Sequence, residues 1–569
     1  MKNFELAKIF NTIADILELQ EVPWKPQAYR KAAQALEALS EDIEEVYQRD
    51  ELKDIPGVGE HIAAKIEEFL QKGKIKFYEE LKKKVKVDIE ALRAIPTLGP
   101  KKIKLLYQKL GVKTVKDLEQ VIKQGKAAKL EGFGDKTVQL LSQGIEVIKS
   151  RPQRFLYIQA VPIVKQIKEY LSQLKEVQKV EAAGSFRRGK ETIGDLDFLV
   201  VSPHPEKVML HFTAMKSIKT VLAKGITKTS VRLLNNLQVD LRVVQEKEFG
   251  SAMLYFIGNK EHNIEVRKLA LSKGYTLSEY GLFTVKSKKW IAGRTEEEIY
   301  SRLGLQFIPP EIRRAQGEIA AAQKNKIPVL VELKDVQGMF HNHTQWSDGH
   351  NTLLEMARKA EELKFKFISF NDHYGAMGIT NPLNEKRLDK YLQEIDKVRK
   401  KVGLKIFSGV EIDVLKDGSL PLSSKHLKKL DAVVASVHQA MRMPAKEMTN
   451  RICAAISNYP VNILGHPTGR LLNEREPMEM DWERVFQTAK DNNVFMEING
   501  SPKRLDLSGE LVKQALDLGC KFAISTDAHD VSHLEAHDLG VIQARRGWAR
   551  KKDLLNCWTL SKIEKSLER

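Results

Sequence analysis

The chain has 569 residues, of which 42% are apolar, and a formal net charge of +18. That length holds several domains with ordinary cores, and no run of eighteen apolar residues or charged-then-apolar leader marks a membrane span or signal peptide. The three cysteines, Cys453, Cys520 and Cys557, show no pairing pattern, which argues against a disulfide framework and for a reducing, cytoplasmic setting. The charge is uneven. Through Val336 there are 58 Lys and Arg against 44 Asp and Glu, and beyond it 35 against 31, while ten of the fourteen histidines lie after Val336. A basic first part suits a polyanion, most simply nucleic acid. The histidine-rich remainder points to a second kind of chemistry.

Residues 1–150 carry apolar positions every three to four residues, as in FELAKIFNTIADILEL, and are expected to be helical. Three turns punctuate them: IPGVGEHIAAKI with Gly57 and Gly59, IPTLGPKKIKLL with Gly99, and LEGFGDKTVQLL with Gly132 and Gly134. A glycine turn that opens a helix presents backbone N–H groups to a phosphate oxygen without reading a base. Three in one basic segment predict sequence-independent binding to a DNA backbone, and they look like helix-hairpin-helix motifs. The region divides into an N-terminal helical domain, 1–85, and a second DNA-binding subdomain, 86–150.

From 151 the pattern becomes mixed, with an α+β domain over 151–248 and a smaller one over 249–308. Its centre is GSFRRGKETIGDLDFLV. Gly184 and Ser185 open a short helix, Arg187 and Arg188 add positive charge, and Asp195 and Asp197 lie two apart on an apolar strand and so share a face. A third acid, Asp240, lies in LQVDLRVV, a strand able to pair alongside. Three clustered carboxylates repel unless divalent cations join them, and hard oxygen ligands suit Mg2+ or Mn2+. Such ions serve phosphoryl and nucleotidyl transfer, with Ser185 and Arg188 placed to hold the displaced phosphates.

The proline-rich, charged stretch 309–336 is expected to be a linker. Beyond it, over 337–569, seven apolar runs alternate with helical ones: GMFHNH, FKFISFNDH, LKIFSGVEI, LDAVVASVH, VNILGHP, VFMEING and KFAISTDAH. Strand and helix in alternation predict parallel strands, and seven units predict a closed or nearly closed barrel. Polar residues recur at or just after the strand ends: His341, His343, Asp348, His373, Glu411, His438, His466, Asp527 and His529. Strand ends of a parallel barrel converge at one mouth, so these nine can meet. Imidazole with carboxylate suits Mn2+, Zn2+ or Fe2+, and cations held there supply an activated water for phosphodiester cleavage. His350, His426, His533 and His537 fall in helical or loop context and are set aside. Glu497 and Asn499 are read as lining the rim rather than as ligands.

GSFRRGKETIGDLDFLV resembles the nucleotidyltransferase palm of family X DNA polymerases, in their polymerase-beta-like branch. The resemblance implies that Asp195, Asp197 and Asp240 hold the catalytic metals, with Asp240 assisting deprotonation of the primer 3′-hydroxyl. It implies triphosphate contacts from Gly184, Ser185, Arg188 and Gly194. It continues through YFIGNKEHNIEVR into the thumb, where Tyr255, Phe256 and Gly258 fall beside the incoming sugar and Asn263 and Arg267 against the nascent pair; Lys260 departs from the family pattern. The N-terminal domain is similar to the family's lyase-type domain. Trp24 falls where a ring stacks on a template base, and Lys65 aligns with the Schiff-base lysine. His61 replaces a lysine usual on that helix, which favours 5′-phosphate binding over lyase chemistry.

The histidine-rich part is similar to the PHP (polymerase and histidinol phosphatase) family, a distorted (β/α)7 barrel whose resemblance implies three ions on the nine residues. Together these imply a multidomain, monomeric enzyme acting on gapped or nicked double-stranded DNA with dNTPs, and carrying a 3′–5′ exonuclease or related 3′-end-processing activity, with AP endonuclease activity in some members. The competing reading keeps nucleotidyl transfer to DNA ends and gives the barrel a phosphatase role on small phosphoesters.

Overall fold

The computed structural model describes residues 2–568 except 21, 39–42, 56, 85–86, 90–91, 93–94, 96–97, 135–136, 139–140, 143–144, 146–153 and 376–379. It forms two units, Met1–Arg151 and Pro152–Arg569. Among the described residues no helix is long and apolar enough to cross a membrane, and Cys453, Cys520 and Cys557 are buried and free.

The first unit is helical and has two small cores. Leu6, Phe10, Tyr29, Ile66 and Phe69 belong to one, and Ile103, Leu106, Leu118 and Phe133 to the other. The helix Glu60–Lys72 buries Ile62, Ala63, Ile66 and Phe69 on a single stripe and starts at Gly59. Gly57, at φ +88°, leaves no spare room, since a Cβ there would lie 3.3 Å from Lys31 Cβ. Gly99 caps the helix Pro100–Leu110, whose proline occupies the first turn, where its missing N–H costs nothing. Gly132 has φ +79°, and the N–H groups of Thr137 and Val138 donate to Gly134 O. Each glycine turn therefore leads into a helix start, as the sequence predicts.

In the second unit, β1 (Phe155–Leu156) pairs with β3 (Thr192–Ile193). A five-stranded sheet is built from β2 (Lys179–Ala182), β4 (Asp195–Val201), β5 (Ile218–Lys224), β6 (Lys228–Leu233) and β7 (Gln238–Val244), in the order β2-β4-β7-β6-β5. Strand β4 feeds two cores by alternation. Leu196, Phe198 and Val200 pack among Ala160, Val208 and Phe212. Leu199 and Val201 pack among Phe249, Ala252 and Met253. Asp195 and Asp197 continue the second face toward the strand's start, ahead of that apolar core.

The thumb holds the helices Phe249–Ile257 and Lys260–Ser272 and the sheet β8 (Tyr275–Ser278), β9 (Gly281–Thr284) and β10 (Trp290–Ala292). The stretch 309–336, expected as a linker, is packed instead. Ile312, Ile319, Ala322, Ile327 and Leu330 share the thumb core with Val266, Leu282 and Tyr300. Its prolines and charges disguise an apolar stripe that cannot stay in water.

The barrel closes in chain order: β11 (Gly338–Asn342), β12 (Phe367–Tyr374), β13 (Lys405–Asp413), β14 (Ala432–Ser436), β15 (Ile463–Leu464), β16 (Phe495–Asn499) and β17 (Phe522–Ala528), all parallel. Phe340, Phe367, Phe407, Val434, Ile463, Phe495 and Ala523, one from each strand, fill its floor with Leu555, Ile563 and Leu567. This plug leaves the polar residues of the strand ends to gather at the opposite mouth.

Candidate active sites

The palm site starts from strand register. Strands β4 and β7 run parallel with Asp197 opposite Asp240 and Asp195 opposite Gln238. Ser230, opposite Asp240 on β6, donates its hydroxyl to Asp240 Oδ1, and Gln238 Nε2 donates to Oδ2 at 3.1 Å. Burial, together with the charges of Asp195 and Asp240, pushes the Asp197 carboxyl up to about 7. That is the electrostatic mark of a site built for added positive charge.

Gly184 begins the helix Gly184–Arg187 at φ +60°. A Cβ there would overlap Asp197 Oδ2, so glycine is required both by the backbone and by the carboxylate. The Ser185 hydroxyl is buried without a hydrogen-bond partner. Arg188 donates to Ile257 O, at the end of the thumb helix that carries Tyr255 and Phe256. Gly258, at φ +66°, turns the chain toward Asn263, whose Nδ2 donates to Tyr255 O at 2.7 Å. Arg267 donates to Leu277 O at 3.0 Å and lies 5.7 Å from the centre of the Tyr255 ring. Tyr255 is 38% exposed and meets Phe256 edge-on at 5.1 Å. Gly194 lies directly before β4, against Arg154. Arg188, Gly258, Asn263 and Tyr255 thus come together where the palm meets the thumb.

In the first unit, Trp24 is 86% exposed at φ +62°. Lys65 donates to His61 O at 3.1 Å and lies 5.2 Å from the Phe77 ring centre. Burial pulls its amine below the ordinary lysine value, Glu68 opposes this and Lys25 adds to it.

At the barrel mouth all nine expected residues meet. Their donor atoms form four groups, each within 4.8 Å: His343, Asp348, His373 and His529; His341, His343 and Asp527; His341, Glu411 and His466; and His373, Glu411 and His438. Glu411 is the hub. Its oxygens lie 2.9 Å from His466 Nε2 and His373 Nδ1, 3.3 Å from His341 Nε2, 3.4 Å from His438 Nε2 and 3.5 Å from His343 Nε2. Burial alone would raise its carboxyl; His341, His438 and His373 instead hold it well below the carboxylate range. His343 is pulled down to about 3 by burial and by the charges of His529 and His373.

The donor set fits divalent cations. His341 Nε2, both His343 ring nitrogens, Asp348 Oδ1, Glu411 Oε2 and His466 Nδ1 are buried without hydrogen-bond partners. Buried polar atoms left unpaired are costly, and cations held in the separate groups would satisfy them. His350, His426, His533 and His537 are absent from these groups.

Glu497 and Asn499 correct the sequence reading. Both are 0% exposed, so neither lines a rim. Glu497 accepts from His341 Nδ1 at 2.6 Å, from His466 N, from the Ser525 hydroxyl and from Asn499 Nδ2 at 3.2 Å. Asp413 similarly accepts from both the backbone N–H and Nδ1 of His438. Arg504 lies 3.1 Å from Asp527 Oδ2. A Glu two residues beyond the floor residue Phe495, inside an apolar strand, was the available signal.

Family models match the chain in order: helix-hairpin-helix domain over 1–75, SAM-like helix-hairpin-helix tandem over 89–146, nucleotidyltransferase domain over 164–267, DNA polymerase beta thumb over 252–314 and PHP domain over 340–501. The chain is 35% identical to the DNA polymerase/3′-5′ exonuclease PolX of Bacillus subtilis (strain 168), over 100% of both chains. A probable phosphatase of Thermoanaerobacter sp. (strain X514) is 32% identical over 34% of this chain and 81% of its own. DNA polymerase lambda of Rattus norvegicus is 26% identical over 55% of this chain and 56% of its own.

Fold and sites define a polymerase-beta-type nucleotidyltransferase joined to a PHP barrel. The chain belongs to the family X DNA polymerases, in the group that carries a C-terminal PHP domain.

Proposed function

We propose that this chain fills short gaps in DNA during repair and trims 3′ ends, using two separate metal-dependent sites. The observation that carries the reading is the presence of both the Asp195–Asp197–Asp240 face and the nine-residue mouth in a chain similar along its whole length to a polymerase/3′-5′ exonuclease. In the palm, Asp195, Asp197 and Asp240 would hold Mg2+ or Mn2+, and such ions supply charge neutralisation and Lewis acidity for nucleotidyl transfer. Asp240 stands ready to take the proton of the primer 3′-hydroxyl. The unpartnered Ser185 hydroxyl and Arg188 bind the triphosphate, while Tyr255 and Phe256 stand beside its sugar. In the barrel, the nine ligands would hold up to three Mn2+, Zn2+ or Fe2+ ions and serve phosphodiester hydrolysis. The glycine turns and Trp24 hold the gapped duplex, and Lys65 stands where a 5′-phosphate would bind.

The test uses one-nucleotide-gapped DNA in Mn2+, with extension and trimming followed separately. Asp195→Ala with Asp197→Ala abolishes extension and spares trimming; His341→Ala with His343→Ala does the reverse. Loss of both activities in either folded variant rejects the two-site reading. The similarity to probable phosphatases supports a second reading, a barrel acting on small phosphoesters. Release of phosphate from small phosphomonoesters, with a 3′-labelled oligonucleotide left intact, would favour it.

A further inference from the structure

The palm turn Arg188–Glu191 leaves the helix Gly184–Arg187 and enters β3, and a helix of the barrel domain lies against it. On the helix His537–Arg546, the Ile542 side chain sits so close to Gly189 that a Cβ on the glycine would overlap Ile542 Cγ2. Gln543 Nε2 donates to Gly189 O at 3.4 Å, and Arg546 Nη1 donates to Arg188 O at 2.9 Å. Glu191, 8% exposed, lies 3.6 Å from Arg546 and 3.5 Å from Arg470, both from the barrel domain. Asn473 Nδ2 donates to Arg154 O at 2.6 Å, and Arg154 in turn holds Thr192 through Oγ1 and O. Among the described residues, the bonds this turn receives from inside the palm are backbone ones, Tyr157 N to Glu191 O at 3.0 Å and Lys190 N to Ser185 O at 3.1 Å among them. A buried carboxylate cannot leave its arginines without a large desolvation cost, so the barrel fixes the turn's place.

We propose that the barrel helix His537–Arg546 positions the triphosphate-binding turn of the palm, with Ile542 and Arg546 as positioning residues for nucleotide binding. This rests on the reading that Ser185 and Arg188 bind the triphosphate. A shift of about 1 Å in a binding group is enough to cost on the order of a hundredfold in rate, and a turn without its backing is free to make that shift. The barrel therefore contributes to polymerisation through packing, apart from any chemistry at its own mouth.

The test is a double-mutant cycle in the full-length chain, with dNTP titrated in single-nucleotide gap filling. Gly189→Ala is expected to raise the dNTP KM by about tenfold, with the affinity for gapped DNA unchanged. Adding Ile542→Ala opens space for the new methyl and returns most of that loss, leaving only the strain of alanine at φ +63°. If the double variant is no better than Gly189→Ala, the contact with the barrel does not hold the turn and the proposal falls. Should Gly189→Ala fail to fold, Ile542→Ala with Gln543→Ala removes both helix contacts at Gly189 without adding strain. That pair is expected to raise KM severalfold at near-constant kcat, and an unchanged KM overturns the proposal. Arg188→Ala in the same assay separates the two ideas, because an unaltered KM there rejects the triphosphate reading itself.

Discussion

His341 and Glu497 form a fully buried pair, with the imidazole Nδ1 donating to a carboxylate oxygen over 2.6 Å. The bond fixes the tautomer and turns Nε2 toward Glu411 and Asp527, 3.3 and 3.8 Å away. A carboxylate behind a ligating histidine orients the ring and strengthens it as a donor.

Glu497→Gln should therefore weaken metal binding at the barrel mouth by about tenfold to a hundredfold, and leave gap filling intact. Metal titration by calorimetry, with metal content measured after dialysis, checks this. Unchanged affinity would make Glu497 a mere packing residue.

Gly184→Ala should abolish most extension while sparing 3′ trimming. The new methyl meets Asp197 Oδ2, and alanine is strained at φ +60°. Moving Asp197 away from Asp240 should lower the extension rate by at least about a hundredfold. Primer extension and trimming on the same preparation provide the measurement.

Chelation should destabilise the barrel. Several donor atoms at the mouth are buried without partners, and a ligand that binds only the folded form stabilises it by mass action. EDTA is expected to lower the melting temperature of the second unit, with Mn2+ restoring it. His341→Ala with His343→Ala should lose most of this dependence on both, keeping only what the palm carboxylates of the same unit contribute.

Acid should loosen the thumb below the ordinary histidine pKa. His262 is buried between Glu318, 2.8 Å from Nδ1, and the Tyr300 hydroxyl, 2.9 Å from Nε2. Burial holds its pKa below 6.5, although Glu318 pulls the other way. Glu318 already accepts N–H groups from Arg314, Ala315 and Gln316, so it stays ionised beside a neutral ring. Because the folded pKa is depressed, the unfolded chain binds the extra proton first. Stability is full above pH 6.5 and falls as pH drops toward the folded value. Urea midpoints between about pH 5 and 8 should show this slope, and His262→Gln should flatten its upper part.

The reach of the sequence is clearest in β4 and at the mouth. Asp195, Asp197 and Asp240 were legible because strand alternation and strand pairing are regular there, with Asp197 opposite Asp240. The same rule brings together residues that do meet at the mouth, but for a partly different reason. His341 and His343 were placed together by alternation, but Phe340 points into the barrel floor, and His341 joins the mouth through an irregularity in β11 at φ +58°. His466, three residues after the floor residue Ile463, turns in at φ +21°. Glu497 bonds to both of these irregular histidines, and the period-two signal it did carry, two residues after Phe495, gave its inward face but not its partners.

Chemistry-bearing residues and their order along the chain were set by the sequence alone: the carboxylate face, the helix-opening glycines, the seven strands and the nine polar residues of the mouth. Those follow from local rules of periodicity, turn chemistry and donor type, which act over a few residues. Only tertiary structure decided that Glu497 and Asp413 hold His341 and His438, that 309–336 packs partly into the thumb core and, through Val331 and Val336, into the barrel core, and that Ile542 and Arg546 lie against the palm turn. Each of these depends on contacts between residues distant in the chain. Burial there fixes side chains through packing and unpaired charge, and neither leaves a repeating mark in the sequence.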